Sequence, residues 1–303
     1  MVVKWGELAV TDEKRAELRS LVRGYYDVQK IRIQIGNRIV ANFYAKLGKK
    51  PSEKKDSIDT DAKQLLVQLI KEAKLITNAI TDNSRKLEGY MKRHEGVISS
   101  SVEFEFVNSY IELMKIESNL IKSINKMLSG FLVWEYFLKD VPGCGPLMAA
   151  VIISELDPRK ARYVSSFWRY AGLDVAPDGR GRSRKKEHLV DVEYVDKEGN
   201  LATKKSITFN PFLKTKLIGV LGPSFLKCKS PYSDTFYDYR TRLENHPKYK
   251  DDTKAHRYNM SVRYMIKMFL GDLWCEWREL EGLPTKPTYA EAKLGLVHRG
   301  GEY

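Results

Sequence analysis

Gly143 and Gly145 stand one residue apart between Pro142 and Pro146, in the run Leu138-Lys-Asp-Val141-Pro-Gly143-Cys-Gly145-Pro-Leu147-Met-Ala149-Ala150. Two glycines at this spacing allow positive φ and let the backbone approach an anion with no Cβ in the way. Pro146 suits the first position of a following helix, where its missing N–H costs nothing. The free N–H groups of that first turn, Leu147 among them, combine with the helix dipole to make an anion site. Ala149 and Ala150 are small enough for a close helix crossing. With Val141 in front, the run fits the helix-hairpin-helix pattern; the plainer alternative is a tight turn between buried helices. Such a contact grips phosphate and positions a protein on nucleic acid without reading base identity.

Arg180-Gly-Arg182-Ser183-Arg184-Lys185-Lys186 is the densest cationic run in the chain. Arginine forks bond bidentately to guanine or phosphate, so this loop is the candidate for specificity; otherwise it is a solvated loop. Between Gly199 and Ser230 there are six lysines, Lys204 and Lys205 among them, and no acid. Two such stretches back to back predict one continuous basic surface. Ser183 is the remaining candidate nucleophile, since Arg182, Arg184 and Lys185 would stabilise an alkoxide and a phosphodiester. Its neighbouring bases, Glu187 and His188, sit in a loop that reads as exposed, so the expectation is a serine bonding phosphate or water. His256-Arg257 and Arg263-Tyr264 are not spaced to gather round one phosphate. No carboxylates cluster as a two-metal site requires, so no cofactor is expected, with magnesium only if the chain is catalytic.

Long helices must position these groups. Thr11-Asp12-Glu13 supplies an N-cap hydroxyl and first-turn acids. Leu18, Leu21, Val22, Tyr25, Val28, Ile31, Ile35, Ile39 and Phe43 then recur at helical steps until Gly48 and Pro51. A charged loop, Lys49 to Asp59, leads to a second helix over Thr60–Met91, and a third is predicted over Val102–Leu138. Their narrow apolar stripes suit a coiled-coil arm or bundle and predict a homodimer through these N-terminal helices. Beyond Val141 the pattern predicts short helices over Pro146–Leu156 and Ser165–Leu173. Alternating strands over Leu189–Val195 and Leu201–Phe209 flank Asp196-Lys-Glu-Gly-Asn200 as a β-hairpin. Helices follow over Pro211–Leu221, Tyr232–Leu243 and Lys254–Leu280. Trp168, Trp274 and Trp277 read as core residues.

The net charge of +13 over 303 residues calls for an acidic partner: nucleic acid, anionic lipid or an acidic protein. A hydrophobic content of 43% supports a packed core and excludes general disorder. Three scattered cysteines make neither a disulfide framework nor a zinc site, which fits a reducing, cytoplasmic compartment. No apolar run approaches the ~20 residues that span a bilayer, so no membrane partner is expected.

Val141-Pro-Gly-Cys-Gly-Pro through Ser154-Glu-Leu-Asp-Pro158, then Phe167-Trp-Arg-Tyr-Ala171-Gly-Leu173, then Arg180-Gly-Arg-Ser-Arg184, resembles the C-terminal domain of one insertion-sequence family, the IS-one-ten or bridge-RNA-guided transposases. That family shows the same Pro-Gly-x-Gly hairpin, small-residue helix, Ala-Gly-Leu step and basic loop in the same order. Its coiled-coil region is similar to the long helices here. Two features depart from it. This chain opens directly on helices where the family carries an RNase-H-like domain with acidic catalytic residues. The family's nucleophilic serine sits in a Ser-Gly step, and here that segment reads Pro177-Asp178-Gly179.

The expected fold is mainly α: a long-helix arm or bundle over residues 1–138, then a helix-hairpin-helix domain over 139–303 with a β-hairpin insertion. The expected function is transposase-like DNA binding without independent catalysis, with contacts at Gly143, Gly145, Leu147, Arg180, Arg182, Ser183, Arg184, Lys185, Lys186, Lys204 and Lys205. Its alternatives are an active serine-type recombinase and an RNA-binding module of a mobile element.

Overall fold

The computed structural model describes residues 12–48, 60–81, 87–89, 92 and 96–286. The predicted cap Thr11, the charged loop 49–59 and the predicted helix end at Met91 lie outside them. The chain is mainly helical with one small antiparallel hairpin, and it forms two compact units, residues 20–123 and residues 1–19 together with 124–303.

Three long helices build the first unit's core: α1 (Asp12–Lys46), α2 (Thr60–Thr81) and α3 (Ser101–Leu128). Ile39 and Phe43 of α1 meet Leu65, Leu69 and Ala73 of α2 and Val107, Tyr110 and Ile111 of α3 in one cluster. Gly36 is placed where Tyr110 crosses, since a Cβ there would lie 2.9 Å from the ring. The buried Glu72 carboxylate accepts the Val97 and Ile98 N–H groups at 3.0 and 2.9 Å, supplying acceptors that a loop in apolar surroundings would lack. Arg32 donates to Glu117 and, at 3.0 Å, to the Tyr110 hydroxyl. Most of the apolar stripes are therefore enclosed within the chain, although Ile31, Ile80, Met114 and Ile116 stay exposed.

The predicted third helix ends ten residues early. Gly130 closes a turn onto Met127 and Phe131 onto Leu128, and the chain redirects into a short helix, α4 (Leu132–Tyr136), and a 3-10 turn (Leu138–Asp140). The cause is the clustered Phe131-Leu132-Val133, all buried, which a straight continuation of α3 would have spread round the helix.

In the second unit α5 (Pro146–Glu155) is enclosed on every side from Met148 to Glu155. It is followed by α6 (Val164–Tyr170), the ribbon β1 (Val190–Val195) with β2 (Leu201–Ser206), α7 (Pro211–Lys216), α8 (Gly222–Lys227), α9 (Tyr232–Asn245) and α10 (Lys254–Leu280). A π-helical turn at Leu217–Leu221 joins α7 to α8 with helical backbone throughout. Pro223 explains it, because proline offers no N–H and clashes with the carbonyl one turn back, and the added residue relieves both. The ribbon pairs Val190 with Ser206 through Val195 with Leu201, and all of β1 is exposed.

Phe269 on α10 centres the aromatic core, with Phe225 at 5.2 Å, Tyr232 at 5.4 Å and Phe137 at 6.4 Å between ring centroids. Trp274 and Trp277 are buried core residues as their sequence context predicts, and the Trp274 indole N–H donates to the Ala161 carbonyl at 2.8 Å. The buried Arg278 guanidinium gathers the Pro158, Ala161 and Pro284 carbonyls, tying α10 to the loop after α5. Phe269→Ala should lower unfolding free energy by about 3–5 kcal/mol, the usual cost of removing a fully buried aromatic ring. Chemical denaturation measures this, and a loss below ~1 kcal/mol would contradict the packing.

Candidate nucleic-acid interface

The hairpin begins at Val141, buried at the end of the 3-10 turn. Gly143 has φ +91° and its carbonyl accepts the Ser224 hydroxyl at 2.8 Å. A Cβ at Gly143 would come within 3.0 Å of the Ser224 carbonyl oxygen and 3.1 Å of the Phe225 ring. The close approach that requires glycine here is therefore made by α8, from within the chain. Gly145 departs from the expected positive φ: at φ −69° and ψ 167° it is ordinary extended backbone, the N-cap of α5, because Pro146 needs an extended residue before it. Gly145 is exposed, with open space beyond its Cα. The Met148 and Ala149 N–H groups both close onto its carbonyl, at 2.9 and 3.0 Å, and Pro146 has none to offer. Leu147 is then the first-turn amide that the Gly145 carbonyl does not engage. Cys144 between the glycines is buried, which pushes its thiol up to about 12 and leaves it inert at neutral pH.

The basic loop is ordered by its own backbone. Ala176 N–H donates to Arg180 O at 2.7 Å, Arg182 N–H to Asp174 O at 3.0 Å, and Val175 bridges Gly181. Arg180, Arg184, Lys185 and Lys186 are exposed. Arg182 instead turns inward and holds Asp174 Oδ2 through Nε at 3.0 Å and Nη2 at 2.9 Å.

Beneath the loop lie three cations that the sequence reading did not join to it. Lys214 of α7 donates to the Arg182 carbonyl, with its ammonium 4.5 Å from the Phe209 ring centroid. Burial, reinforced by Arg263 and Arg184, pushes it down to about 8. Arg263 of α10 reaches the Gly172 and Asp174 carbonyls and lies so close under Gly181 that a Cβ there would sit 2.3 Å from the guanidinium carbon. Lys267, one helical turn along, stands 4.3 Å over the Trp168 ring, and burial holds it and Arg263 below their ordinary ranges. Asp174 is the carboxylate that opposes them in each case, and its Oδ1 has no hydrogen-bond partner. The i, i+4 spacing of Arg263 and Lys267 was the available sequence signal, but nothing local directs that helix face towards the loop.

Ser183 is also differently placed from its expected setting. His188 is buried in the 3-10 turn Lys186–His188 rather than exposed. Its Nδ1 lies 2.8 Å from Ser183 Oγ and 3.0 Å from the Ser183 backbone nitrogen, and its Nε2 lies 3.0 Å from Asp178 Oδ2. The backbone N–H can only donate, so Nδ1 of the neutral ring accepts, and Nε2 carries the proton towards Asp178. The bond from His188 holds the Asp178 carboxyl below its ordinary range, with the Arg180 N–H assisting. Glu187 is exposed and takes no part in these bonds. Of the two bases that the sequence places beside Ser183 in an exposed loop, His188 is instead buried against it.

Lys204 and Lys205 are adjacent on β2 and so point to opposite faces of the ribbon. Lys204 lies 4.6 Å over the Tyr194 ring and Lys205 stands across from Asp191. With Lys214 turned under the loop, the lysines of this stretch divide between distinct surroundings. Arg257 caps the Lys250 and Asp252 carbonyls, away from Arg263's partners. Among the described residues no three His, Cys, Asp or Glu side chains gather as a metal site, and no helix is long and apolar enough to cross a membrane.

Residues 135–191 match the model of the Transposase IS116/IS110/IS902 family. The matched stretch holds the Gly143–Gly145 hairpin, α5, α6 and the whole basic loop. No curated protein and no solved structure matches the chain.

The two hairpin glycines should separate by stability. Gly143→Ala meets both a left-handed φ, about 1–2 kcal/mol, and crowding against α8, about 1–3 kcal/mol. Gly145→Ala, on extended backbone in open space, should stay within about 0.5 kcal/mol of wild type. Denaturant midpoints of the two variants measure this; equal losses would refute the assignment of Gly143 to packing.

Proposed function

We propose that this chain, whose residues 135–191 carry a transposase-family segment, is a transposase-like protein that binds DNA by its phosphate backbone at the loop 174–188. The observation that carries the reading is the imbalance beneath that loop. Arg182, Lys214, Arg263 and Lys267 share the single carboxylate of Asp174. Cations withdrawn from water are costly unless paired, and a phosphate diester supplies the missing negative charge. The exposed Arg180, Arg184, Lys185 and Lys186 extend the same field outward, and Leu147 with Gly145 offers a second, backbone contact at the start of α5. These contacts hold phosphate and leave base recognition to the exposed arginines. DNA is favoured over RNA by the transposase family of the matched segment.

Fluorescence anisotropy with a labelled duplex should give an affinity that falls linearly in log–log form with salt, with a slope of about −0.9 per phosphate neutralised. Lys214→Met and Lys267→Met should each reduce that slope by about 1. Lys214 binds phosphate only as the ammonium, and its pKa is about 8 before binding. Affinity should therefore be full below pH 8 and decline as pH rises through that value, and Lys214→Met should flatten the decline. Binding indifferent to salt, or absent at low salt, defeats the reading; tighter binding of an RNA duplex of the same sequence defeats the choice of DNA.

A further inference from the structure

We infer that Lys214 is a site of covalent acylation by acyl phosphates, and that acylation there switches off phosphate-backbone binding by the loop above it. The switch rests on the phosphate-binding reading of that loop; the acylation site stands on the geometry of the cluster. The Lys214 stem runs past Gly172, where a Cβ would lie 3.1 Å from Lys214 Cδ, and its ammonium donates to the Arg182 carbonyl beside the Phe209 ring. Arg263 converges on the same stretch of backbone, with Nη1 3.4 Å from both the Gly172 and the Asp174 carbonyls. Lys214 is only half-buried, so small reagents in solution reach it. A lysine becomes a nucleophile when desolvation or a neighbouring cation favours its neutral amine. Burial, then Arg263 and Arg184, does this to Lys214. At its value of about 8, roughly a quarter of it is free amine at about pH 7.5, against about one part in a thousand at the ordinary 10.5. The neutral amine keeps an N–H for the Arg182 carbonyl and has a lone pair to spare.

The cations that favour the amine also select its reagent. Lys214, Arg263 and Lys267 are opposed by one carboxylate, Asp174, and so favour an electrophile that brings its own negative charge. An acyl phosphate carries that charge on its leaving group. Lys214 Nζ attacks the acyl carbon, the C–N bond forms as the C–O bond to phosphate breaks, and the departing phosphate takes the amine proton. Arg263 and Lys267 stabilise the charge that gathers on that phosphate. The products are a neutral amide and free phosphate, with no net oxidation and no water consumed. The amide has no charge to offer a DNA phosphate and no ammonium for the Phe209 ring.

The test exposes the full chain to acetyl phosphate and follows each lysine by peptide mass spectrometry. Lys214 should acetylate about tenfold or more faster than Lys185 and Lys186, which are exposed on the same loop. Its rate should rise with pH and level off above about 8. Inorganic phosphate should slow Lys214 selectively, and the preference for Lys214 should shrink with the uncharged donor N-hydroxysuccinimidyl acetate. Arg263→Met, shown by circular dichroism to be folded, should slow the reaction and move its pH profile upward, since a like charge is lost. Full acetylation of Lys214 should weaken duplex binding by about fivefold or more, as one phosphate contact is removed. The same treatment of Lys214→Arg should cost that variant far less of its own affinity. Lys214 labelled no faster than Lys185 and Lys186 overturns the acylation site. A preference equal for both donors and indifferent to inorganic phosphate overturns the acyl phosphate as its reagent. Duplex binding that survives full acetylation of Lys214 overturns the switch. A chain that binds no duplex before treatment overturns the backbone-binding reading and the switch with it, while selective acetylation still marks Lys214 as the acyl acceptor.

Discussion

A helix apolar on every face has no side to give to water, and α5 is such a helix. Enclosing it constrains the second unit. Its buried end carries Glu155, whose carboxylate must find partners or lose its charge. Arg19 reaches it at 3.1 Å and Asn210 at 2.6 Å. Arg15 completes the end, donating to the Ile153 and Leu156 carbonyls and pairing with Asp157 at 2.8 Å. A guanidinium at a helix C-terminus satisfies orphan carbonyls and complements the dipole at once.

From Glu155 the constraint runs directly to the candidate site. Asn210, held by Glu155, caps α7 by accepting the Leu213 N–H at 3.1 Å. One residue further, Lys214 donates to the Arg182 carbonyl, and the next residue is Ser183. From the other side Arg263 lies against Gly181, so α10 borders the residue next to the one whose carbonyl α7 holds. The loop is cationic yet not loose, because rigid elements on two sides define where its backbone passes.

The electrostatics of this region run against what folding alone would select. Lys214, Arg263 and Lys267 are all shifted towards their neutral forms by burial, so each is less at ease in the fold than in water. For Lys214 the sign is definite: its folded value of about 8 lies below its ordinary 10.5, so the empty protein gains stability as pH rises between them. Under the proposed phosphate binding, an entering phosphate would reverse that penalty, the trade of unliganded stability for binding that functional sites commonly make.

What the sequence determined by itself was local. Apolar periodicity marked the long helices, Lys254–Leu280 to the residue, and Asp196-Lys-Glu-Gly-Asn200 marked the hairpin turn, because period and turn chemistry act between neighbours a few residues apart. The Pro-Gly-x-Gly run and the basic loop were legible as motifs, and the family match over residues 135–191 covers both. The early end of α3 was hidden, because the choice between continuing and turning depended on a core for Phe131, Leu132 and Val133 that periodicity does not display. Gly143 was visible as a glycine, but the atoms that exclude its Cβ belong to Ser224 and Phe225. Asp178, Ser183 and His188 were all in view, evenly spaced, yet only the fold of the loop turns His188 inward to join them. Lys214, Arg263 and Lys267 meet the loop through helix packing across long stretches of chain. Tertiary structure decided these because charge and shape become complementary only after the apolar faces have chosen their partners.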